Sequence, residues 1–554
     1  MSKQKTLAKG QMRGRRTDAE ALAQVQQLLQ DASRERDLLI EHLHQIQDNY
    51  HYLSAEHLVA LAEEMKLPQA EVFEVATFYH HFDVVTDNTP PPPLTIRVCE
   101  SLSCAIHGSD TLYEQVQKLS SEEIRIQKVP CVGRCQHAPV AVSGTLPIHE
   151  ANLQKVEESI QQNQVEAVLP EGFIDYSAYV ENQGYRLFES VYQGSLSMEN
   201  VIEQLDHSGL RGLGGAGFPA SRKWRILRDQ AAPRYLAVNI DEGEPGTFKD
   251  RYYLERDPHR FLEGMLIAAL AIEASAIYIY LRDEYASLRL MLQQELGALQ
   301  AGMGDKIPEI HLRRGAGAYI CGEESAMIES LEGKRGMPRL RPPYLAEVGL
   351  FGRPTLEHNM ETLYWVRDIL EKGADWFTSY GRNGRKGLRS FSVSGRVNNP
   401  GVHLAPAGIT LQELIDEYCG GMQQGHELYG YFPGGASGGM LPASLSNIPL
   451  DFDTLQEYGC FIGSAAVVVF SKQDSARELA LNAMEFFKHE SCGQCTPCRV
   501  GTAKAADLMQ QKQWNIPLLE ELSDVMVDAS ICGLGQAAPN PLRCALKYFP
   551  QEFE

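Results

Sequence analysis

The chain has 554 residues, 44% of them hydrophobic and 22% charged, which is ordinary for a globular protein with several domains. Its formal net charge of −21 argues against nucleic acid or an anionic membrane surface as a partner. No apolar run approaches the ~20 residues of a membrane span and no secretory signal is present, so we expect a cytoplasmic protein.

The first 35 residues are predicted to be a disordered basic tail, because residues 1–16 carry six Lys and Arg and no acid. In residues 36–89 apolar side chains recur every three or four positions, which predicts a bundle of short helices. Four consecutive prolines at 90–93 then predict a stiff linker and a domain boundary.

The rest of the chain alternates strand-like and helix-like segments. Residues 94–98 predict a strand, and residues 235–239 and 276–280 are apolar runs of the buried parallel-strand type. Helical segments lie between them, which indicates α/β layers. The predicted domains after the linker are a small α/β domain at 94–168, a larger α/β domain at 175–385, a small α+β domain at 386–472 and a helical domain at 473–554.

Four cysteines cluster in the first of these domains. Cys99 and Cys104 form C-x4-C directly after the predicted strand, and Cys131 and Cys135 form C-x3-C farther along. An unexported protein keeps its thiols reduced, so clustered cysteines indicate a metal or catalysis. The spacing alone leaves open a [2Fe–2S] cluster, a Zn²⁺ ion and unrelated thiols.

A second cysteine group lies near the end of the chain. Cys492, Cys495 and Cys498 form C-x2-C-x2-C, which suits a corner of a [4Fe–4S] cluster better than structural zinc. A fourth ligand must come from elsewhere, and Cys532 and Cys544 are the candidates. Cys532 lies in a loop-like stretch and Cys544 in a predicted helix, so we expect Cys532 to be the ligand.

Three glycine-bearing loops could approach a phosphate or a flat ring closely, because glycine leaves backbone N–H groups accessible. They lie at 210–219, 238–246 and 315–324. Lys223 follows the first loop and could neutralise a phosphate, while the carboxylates and amides of the others could bind ribityl and ribose hydroxyls. Each loop alone is also typical of a packing turn or a solvated surface.

Taken in order, these segments resemble two subunits of respiratory complex I. The first cysteine group and the helices before it resemble its thioredoxin-like [2Fe–2S] subunit, and the loops with the second group resemble its NADH-oxidising flavoprotein. The resemblance covers roughly residues 36–554. It implies an α/β multidomain fold with an N-terminal helical bundle, a thioredoxin-like [2Fe–2S] domain, a Rossmann-like FMN/NAD domain, a small ubiquitin-like α+β domain and a C-terminal helical [4Fe–4S] domain.

The resemblance also implies roles for individual residues. Phe218 and Tyr344 would flank the adenine of NAD, and Glu244 and Glu324 would lie on the nicotinamide side as the catalytic residues. The residues that would hold FMN are Gly212, Gly214, Gly215, Lys223, Asn239, Asp241, Gly322, Glu323, Asn359 and Thr362.

Three further residues complete the predicted cofactor-binding set: Glu242, Arg341 and His358. His358 stands where the family has an asparagine, and Arg341 stands where it has a lysine, which keeps the charge but changes the donor geometry. The resemblance makes the first four cysteines ligands of the [2Fe–2S] cluster and Cys492, Cys495, Cys498 and Cys532 ligands of the [4Fe–4S] cluster.

Complex I carries these modules on separate chains, whereas here they are fused. The fused form resembles the β (diaphorase) subunit of NAD-dependent molybdenum- or tungsten-containing formate dehydrogenases, most of all at 36–44, 252–264 and 433–442. This implies a large partner subunit with a metal–pterin centre and further iron–sulfur clusters, and no formate or pterin site in this chain. The alternatives are a diaphorase of an NAD-reducing hydrogenase, a complex I NADH-oxidising module and, in another class, a non-catalytic zinc-stabilised adaptor.

Overall fold

The computed structural model describes residues 14–87 and 89–553. The division between its two compact units falls inside the predicted proline linker, between Pro91 and Pro92. Among the described residues, no helix has both the length and the apolar character needed to cross a bilayer. The smaller unit consists of residues 1–91 with 332–335, and the larger of 92–331 with 336–554.

The smaller unit is helical, as the sequence predicts. Its helices bury apolar faces that include Leu43 and Ile46 of the second helix and Leu58 and Leu61 of the third. Its elements are α1 (Ala19–Leu29), α2 (Leu39–Tyr50), β1 (Leu53–Ser54), α3 (Ala55–Glu64), α4 (Gln69–Phe78) and β2 (Val84–Val85), with β1 and β2 paired in parallel.

Helix α1 corrects the prediction of a disordered tail over residues 1–35. The carboxylate of Asp18 caps the helix by accepting a hydrogen bond from the backbone N–H of Ala21 at 2.9 Å. Ala21 and Val25 are buried, and the helix packs against α2 and α3. The acidic cap and the apolar spacing outweigh the basic run before them, whose residues 1–13 lie outside the described part of the chain.

The first sheet of the larger unit belongs to the predicted small α/β domain. Its order is β4-β3-β5-β6, with β3 and β4 parallel and the other pairs antiparallel. Ile96, Val98, Leu112 and Val156 lie in its core. The elements are β3 (Leu94–Cys99), α5 (Leu102–Ile106), α6 (Ser109–Val116), β4 (Ile124–Val129), β5 (Ala141–Ser143), β6 (Leu146–Ile148) and α7 (Leu153–Gln161).

A four-stranded parallel sheet of order β10-β7-β8-β9 forms the centre of the larger unit. The two apolar runs predicted as strands are its middle strands, β7 and β8. Ligands bind at the carboxyl ends of strands in open parallel sheets. The strands are β7 (Arg234–Ile240), β8 (Ala274–Leu281), β9 (Glu309–Arg314) and β10 (Thr355–Asn359).

Ten helices belong to the same part of the chain, and α11, α13, α14 and α16 contact the strands of the sheet. Helix α13 packs against α16, and the glycine-bearing loop at 210–219 leads from α10 into α11. The helices are α8 (Tyr176–Glu181), α9 (Arg186–Tyr192), α10 (Met198–Ser208), α11 (Ala220–Arg228), α12 (Lys249–Leu254), α13 (Pro258–Ala271), α14 (Ala286–Met303), α15 (Glu324–Leu331), α16 (Met360–Lys372) and α17 (Ala374–Thr378).

The predicted α+β and helical domains complete the unit. The third sheet has the order β12-β11-β15-β13-β14, and only β11 and β15 pair in parallel. Its elements are β11 (Leu388–Gly395), β12 (Gly401–Pro406), α18 (Leu411–Glu417), β13 (Leu428–Phe432), β14 (Leu441–Pro442) and β15 (Ala466–Ser471). The last helices are α19 (Ala476–Glu490), α20 (Thr496–Met509), α21 (Ile516–Ala529), α22 (Gly533–Ala537) and α23 (Asn540–Tyr548).

Candidate flavin and iron–sulfur sites

Two asparagines meet at the carboxyl ends of β7 and β10. The parallel register pairs Asn239 with Asn359. The Asn239 side chain donates to the carbonyl of Gly322 at 2.9 Å, and Asn359 donates to a carboxylate oxygen of Asp250 at 2.7 Å. The structure therefore brings the loops after β7 and β9 together with the start of α16.

The glycine-rich loop at 210–219 lies against the same point. The N–H of Leu213 donates to the hydroxyl of Thr362 at 2.9 Å, and the N–H of Gly212 closes the loop onto the carbonyl of Phe218 at 2.8 Å. A Cβ at Gly214 would lie 3.0 Å from that of Asn359, so a side chain there would press on the start of α16. Gly215, at φ +133°, adopts a backbone conformation that favours glycine.

Asp241 has an unused carboxylate oxygen beside these loops. Its Oδ2 is buried and has no hydrogen-bond partner among the described residues. Burial raises its pKa well above the usual range. A Cβ on Gly322 would lie 3.2 Å from the Asp241 carbonyl, so the backbones approach closely here. A polyhydroxylated ligand such as the ribityl chain of FMN would supply the missing donor, so these residues fit the predicted cofactor.

Lys223 is already paired in this structure. Its ammonium donates to a carboxylate oxygen of Glu357 at 2.9 Å and lies 3.5 Å from Glu324. Burial alone would lower the pKa of Lys223, but the two carboxylates outweigh it and raise the pKa. Arg341 contacts Glu323 and lies 3.0 Å from Glu324. A phosphate would therefore compete with carboxylates for Lys223.

The two predicted catalytic glutamates have different partners. Glu244 accepts hydrogen bonds from the N–H of Ser437, at 2.7 Å, and from the hydroxyl of Tyr319, and burial raises its pKa. Glu324 belongs to the charged group with Lys223 and opens helix α15. Glu244 thus joins the loop after β7 to the loop of the α+β domain.

The predicted adenine-flanking rings are available for stacking. Phe218 is 40% exposed and Tyr344 is 56% exposed, so a large part of each ring is accessible to a ligand. His358 is different, because it lies in the core and accepts a hydrogen bond from the Trp224 indole at 2.8 Å. Burial, and then the charge of Lys223, hold the pKa of His358 well below its usual range.

A buried charged network connects these loops, and sequence reasoning singled out only Glu242 among its members. The Lys249 ammonium lies 2.8 Å from Asp250 and 3.1 Å from Glu361, with all three side chains 2% exposed. Burial alone would lower the pKa of Lys249, but the carboxylates raise it. Glu242 accepts from the N–H of Asp250 at 2.8 Å and from the hydroxyl of Tyr285 at 2.7 Å. Glu242, Lys249 and Asp250 lie within the segment 239–251 that the resemblance already includes, whereas Glu361 and Tyr285 lie outside it.

The first four cysteines converge at the end of β3 and the loop after β4. All four are buried, and the sulfurs of Cys131 and Cys135 are 3.3 Å apart. Cys99 lies within hydrogen-bonding reach of both Cys104 and Cys131. Hydrogen bonding from Cys135 and Cys99 holds the pKa of Cys131 well below that of a free thiol. The N–H of Gly133 approaches the Cys131 sulfur at 3.4 Å. Four convergent sulfurs fit an iron–sulfur cluster.

The second group gathers where α20 and α22 begin. Cys495 caps α20, Cys498 lies in its first turn, and Cys532 precedes α22. Burial raises the pKa of Cys498 to about 11 and that of Cys532 to about 12. A Cβ added at Gly535 of α22 would lie 2.9 Å from the Cβ of Cys498, so the segment that begins at Cys532 lies directly against the three-cysteine run.

Cys544 lies elsewhere. Its sulfur is 3.6 Å from that of Cys460, and both thiols are buried. The structure thus brings Cys532 beside the three-cysteine run, whereas Cys544 contacts the α+β domain. A four-sulfur set made with Cys532 is the arrangement that fits a [4Fe–4S] cluster.

Four family models match the chain and establish its cofactors. The matches bear out the α/β multidomain fold and identify FMN, NAD, a [2Fe–2S] cluster and a [4Fe–4S] cluster in place of the zinc alternatives. The models are the Nuo51 FMN-binding domain at residues 205–368, the thioredoxin-like [2Fe-2S] ferredoxin at 25–164, the NADH-ubiquinone oxidoreductase-F iron-sulfur binding region at 478–554 and the SLBB domain at 390–441.

Similar proteins are components of NADH dehydrogenases. One NADH-quinone oxidoreductase chain of Rhizobium meliloti (strain 1021) is 40% identical over 403 residues, which are 70% of this chain and 94% of that protein. The mitochondrial NADH dehydrogenase (ubiquinone) flavoprotein 1 of Dictyostelium discoideum is 42% identical over 374 residues, 64% of this chain and 78% of that one. A chain in the crystal structure of an NAD⁺-reducing [NiFe]-hydrogenase in the H₂-reduced state matches with a TM-score of 0.83 at 31% identity and covers 94% of both chains.

Proposed function

Because the chain belongs to the family of NADH dehydrogenase flavoproteins, we propose that it is the diaphorase subunit of an NAD-dependent formate dehydrogenase. The chain itself is an NAD-dependent oxidoreductase subunit with FMN and iron–sulfur clusters. In the proposed reaction, formate and NAD⁺ give CO₂ and NADH. Formate is oxidised on a large molybdenum or tungsten subunit with further clusters, in the cytoplasm, and this chain delivers the electrons to NAD⁺.

One observation carries the electron-transfer part of the proposal: the flavin loops contact the loops of both cysteine groups. Arg282 donates to the carbonyl of Cys131 at 2.7 Å and also to the carbonyl of Glu242. On the other side, the N–H of Tyr319 donates at 2.9 Å to Glu490, which lies just before the second cysteine group. Direct contact keeps all three centres within one packed unit, which short-range electron transfer requires.

The residue roles follow from this arrangement. The four buried cysteines of the first group hold the [2Fe–2S] cluster, and Cys492, Cys495, Cys498 and Cys532 hold the [4Fe–4S] cluster. Asn239, Asp241, Asn359 and Thr362 hold the polar part of FMN together with Glu323 and the backbone of the glycine loops. Phe218 and Tyr344 stack against adenine.

FMN, when bound, exchanges a hydride with nicotinamide and single electrons with iron–sulfur clusters. The chain therefore needs to position the cofactors and exclude water, and it needs no acid–base pair for NAD. Glu244 and Glu324 serve to orient the nicotinamide. Glu244 is held in place by Tyr319 and Ser437, and Glu324 is held by Lys223.

The formate partner rests on resemblance at 36–44, 252–264 and 433–442. The alternative is a hydrogenase partner, which is favoured by the likeness to a chain of an NAD⁺-reducing [NiFe]-hydrogenase over 94% of this chain. A complex I module is favoured by the identity to the NADH-quinone oxidoreductase chain of Rhizobium meliloti. The three proposals share the chemistry of this chain and differ in the protein that supplies electrons.

The test has two stages. The purified chain, loaded with its cofactors, should reduce an artificial dye with NADH and should not oxidise formate. Purification of the natural complex should then yield a molybdenum or tungsten subunit and formate-dependent reduction of NAD⁺. If a nickel–iron subunit co-purifies and NAD⁺ is reduced with hydrogen, the partner is a hydrogenase subunit and not a formate dehydrogenase subunit. A purified chain without flavin absorbance would overturn the diaphorase assignment.

A further inference from the structure

Arg282 connects the flavin loop to the loop of the first cysteine group. It follows directly after β8 at the carboxyl end of the central sheet, and only 4% of it is exposed. Its Nη2 donates to the carbonyl of Cys131 at 2.7 Å, and its Nη1 donates to the carbonyl of Glu242. One guanidinium therefore holds two loops from different domains.

Glu284 holds the guanidinium in this orientation. The Arg282 Nη2 lies 2.7 Å from one Glu284 oxygen and the Nε lies 3.1 Å from the other, which is a two-point fork. The carboxylate is more exposed than the arginine, with side-chain exposures of 19% and 3%. The positive charge is therefore the buried member of the pair.

Two neighbouring residues support the same loop. The Arg251 Nε donates to the carbonyl of Gly133 at 2.9 Å. Tyr285 fills the space over Gly133, where an added Cβ would lie 2.4 Å from the tyrosine hydroxyl oxygen. Gly133 also has a φ of +70°, a backbone conformation that favours glycine. The loop can therefore pass directly beneath Tyr285 because Gly133 has no side chain.

The charge of Arg282 acts on the first cysteine group. The Arg282 Nη2 lies 2.7 Å from the carbonyl oxygen of Cys131, and both residues are buried. A buried positive charge at this position favours any negative charge added at the neighbouring sulfurs. In a buried, low-dielectric setting such an interaction is much stronger than in water.

We propose that Arg282 is a positioning residue that raises the reduction potential of the [2Fe–2S] cluster while fixing its loop against the flavin loop. The proposal rests on the four-cysteine ligand set proposed above. One-electron reduction of a bound cluster, with the electron coming from NADH through the flavin, would add one negative charge. The Arg282 guanidinium would stabilise that charge without any proton transfer.

The test is a redox titration of the full-length, cofactor-loaded chain in which the [2Fe–2S] signal is followed by electron paramagnetic resonance. Arg282→Met should lower the midpoint potential by the equivalent of at least tenfold in the equilibrium constant, which is 59 mV for one electron. Arg282→Lys, which keeps the charge without the fork, should shift it less. Glu284→Gln removes the opposing charge and should shift the potential upward.

Opposite shifts of the midpoint potential in Arg282→Met and Glu284→Gln distinguish an effect of charge from a simple loss of structure. Arg260→Met is the matched control, because Arg260 pairs with Asp368 between α13 and α16 and has no contact with the cysteine loop in the described residues. It should leave the [2Fe–2S] potential unchanged. Unchanged potentials in Arg282→Met and Glu284→Gln, or shifts of the same sign in both, would overturn the proposal. If Arg282→Met does not retain its cluster, the potentials of Arg282→Lys and Glu284→Gln decide whether the proposal holds. A [2Fe–2S] signal absent from the wild type would instead refute the ligand set.

Discussion

Replacement of Lys249 by methionine tests the buried network behind the flavin loops. The change removes the ammonium that lies 2.8 Å from Asp250 and 3.1 Å from Glu361, where all three side chains are 2% exposed. Two buried carboxylates then lose the cation that pairs with both of them. Breaking a buried ion pair in this way costs about 3–5 kcal/mol.

The matched control is Lys372→Met. Lys372 pairs with Asp368 at 3.2 Å on α16 of the same domain, but its side chain is 41% exposed. Because the lysine is exposed and Asp368 keeps Arg260 and Arg367 as partners, this i,i+4 pair should contribute only about 0.3–0.5 kcal/mol. The two variants remove the same side chain and differ in burial.

Urea unfolding followed by tryptophan fluorescence measures the difference. Trp365 donates to Glu361 at 3.2 Å, so its emission reports on the network. With a slope of ~2–3 kcal/mol per M, the midpoint of Lys249→Met should fall by about 1–2 M and that of Lys372→Met should barely move. Midpoints within error of each other would refute the assignment of a buried, paired lysine.

The pH dependence gives a second check on the same variant. Burial already raises the pKa of Asp250, and loss of the cation should raise it further. A carboxyl whose pKa is raised on folding binds its proton more tightly in the folded state, so its contribution is largest at low pH and is lost as the pH rises. The difference in unfolding free energy between the wild type and Lys249→Met should therefore become smaller on acidification. A difference that becomes larger would contradict the reasoning.

Three further predictions address the sites themselves. Cys532→Ser should lower the iron content and the [4Fe–4S] signal while Cys544→Ser should not, because only Cys532 lies beside the three-cysteine run; the reverse result in an iron assay would make Cys544 the ligand. Asp241→Ala should weaken FMN binding by about 0.5–1.5 kcal/mol, because it removes a buried hydrogen-bonding group whose pKa is raised by burial. Asp241→Asn keeps an acceptor oxygen, and equal flavin retention on dilution would exclude Asp241 from the site. Burial raises the pKa of Glu242 to about 7, so the unfolding free energy of the wild type should fall as the pH rises from ~4.5 to 7. Glu242→Gln should make the unfolding free energy, measured by denaturation, less dependent on pH in this range.

Continuous apolar runs predicted the middle strands well because β7 and β8 are buried on both faces. A different rule failed at α1, where the basic composition of the start of the chain predicted disorder and concealed the cap at Asp18 and the buried Val25. Charge composition describes a segment on average, whereas a helix requires only a cap and one apolar stripe.

The candidate site was predictable where chemistry is local in sequence and unpredictable where it depends on three-dimensional neighbours. Clustered cysteines identify themselves by spacing. Lys249 and Arg282 do not, because a charged residue is solvent-exposed by default and only its partners reveal that it is buried. For the same reason the partner of Lys223 was missed: the sequence suggests a free cation, while the structure pairs it with Glu357.

The contacts that Arg251 and Arg282 make with the first cysteine loop have a consequence for the covalent fusion of the two modules. These two contacts are hydrogen bonds, at 2.9 and 2.7 Å to the carbonyls of Gly133 and Cys131. Two separate proteins would have to associate strongly to maintain them. A continuous chain instead holds the two partners at an effective concentration on the order of millimolar for a short connection. Docking is then an intramolecular event, so the interface residues can be selected for how they orient the loop rather than for affinity.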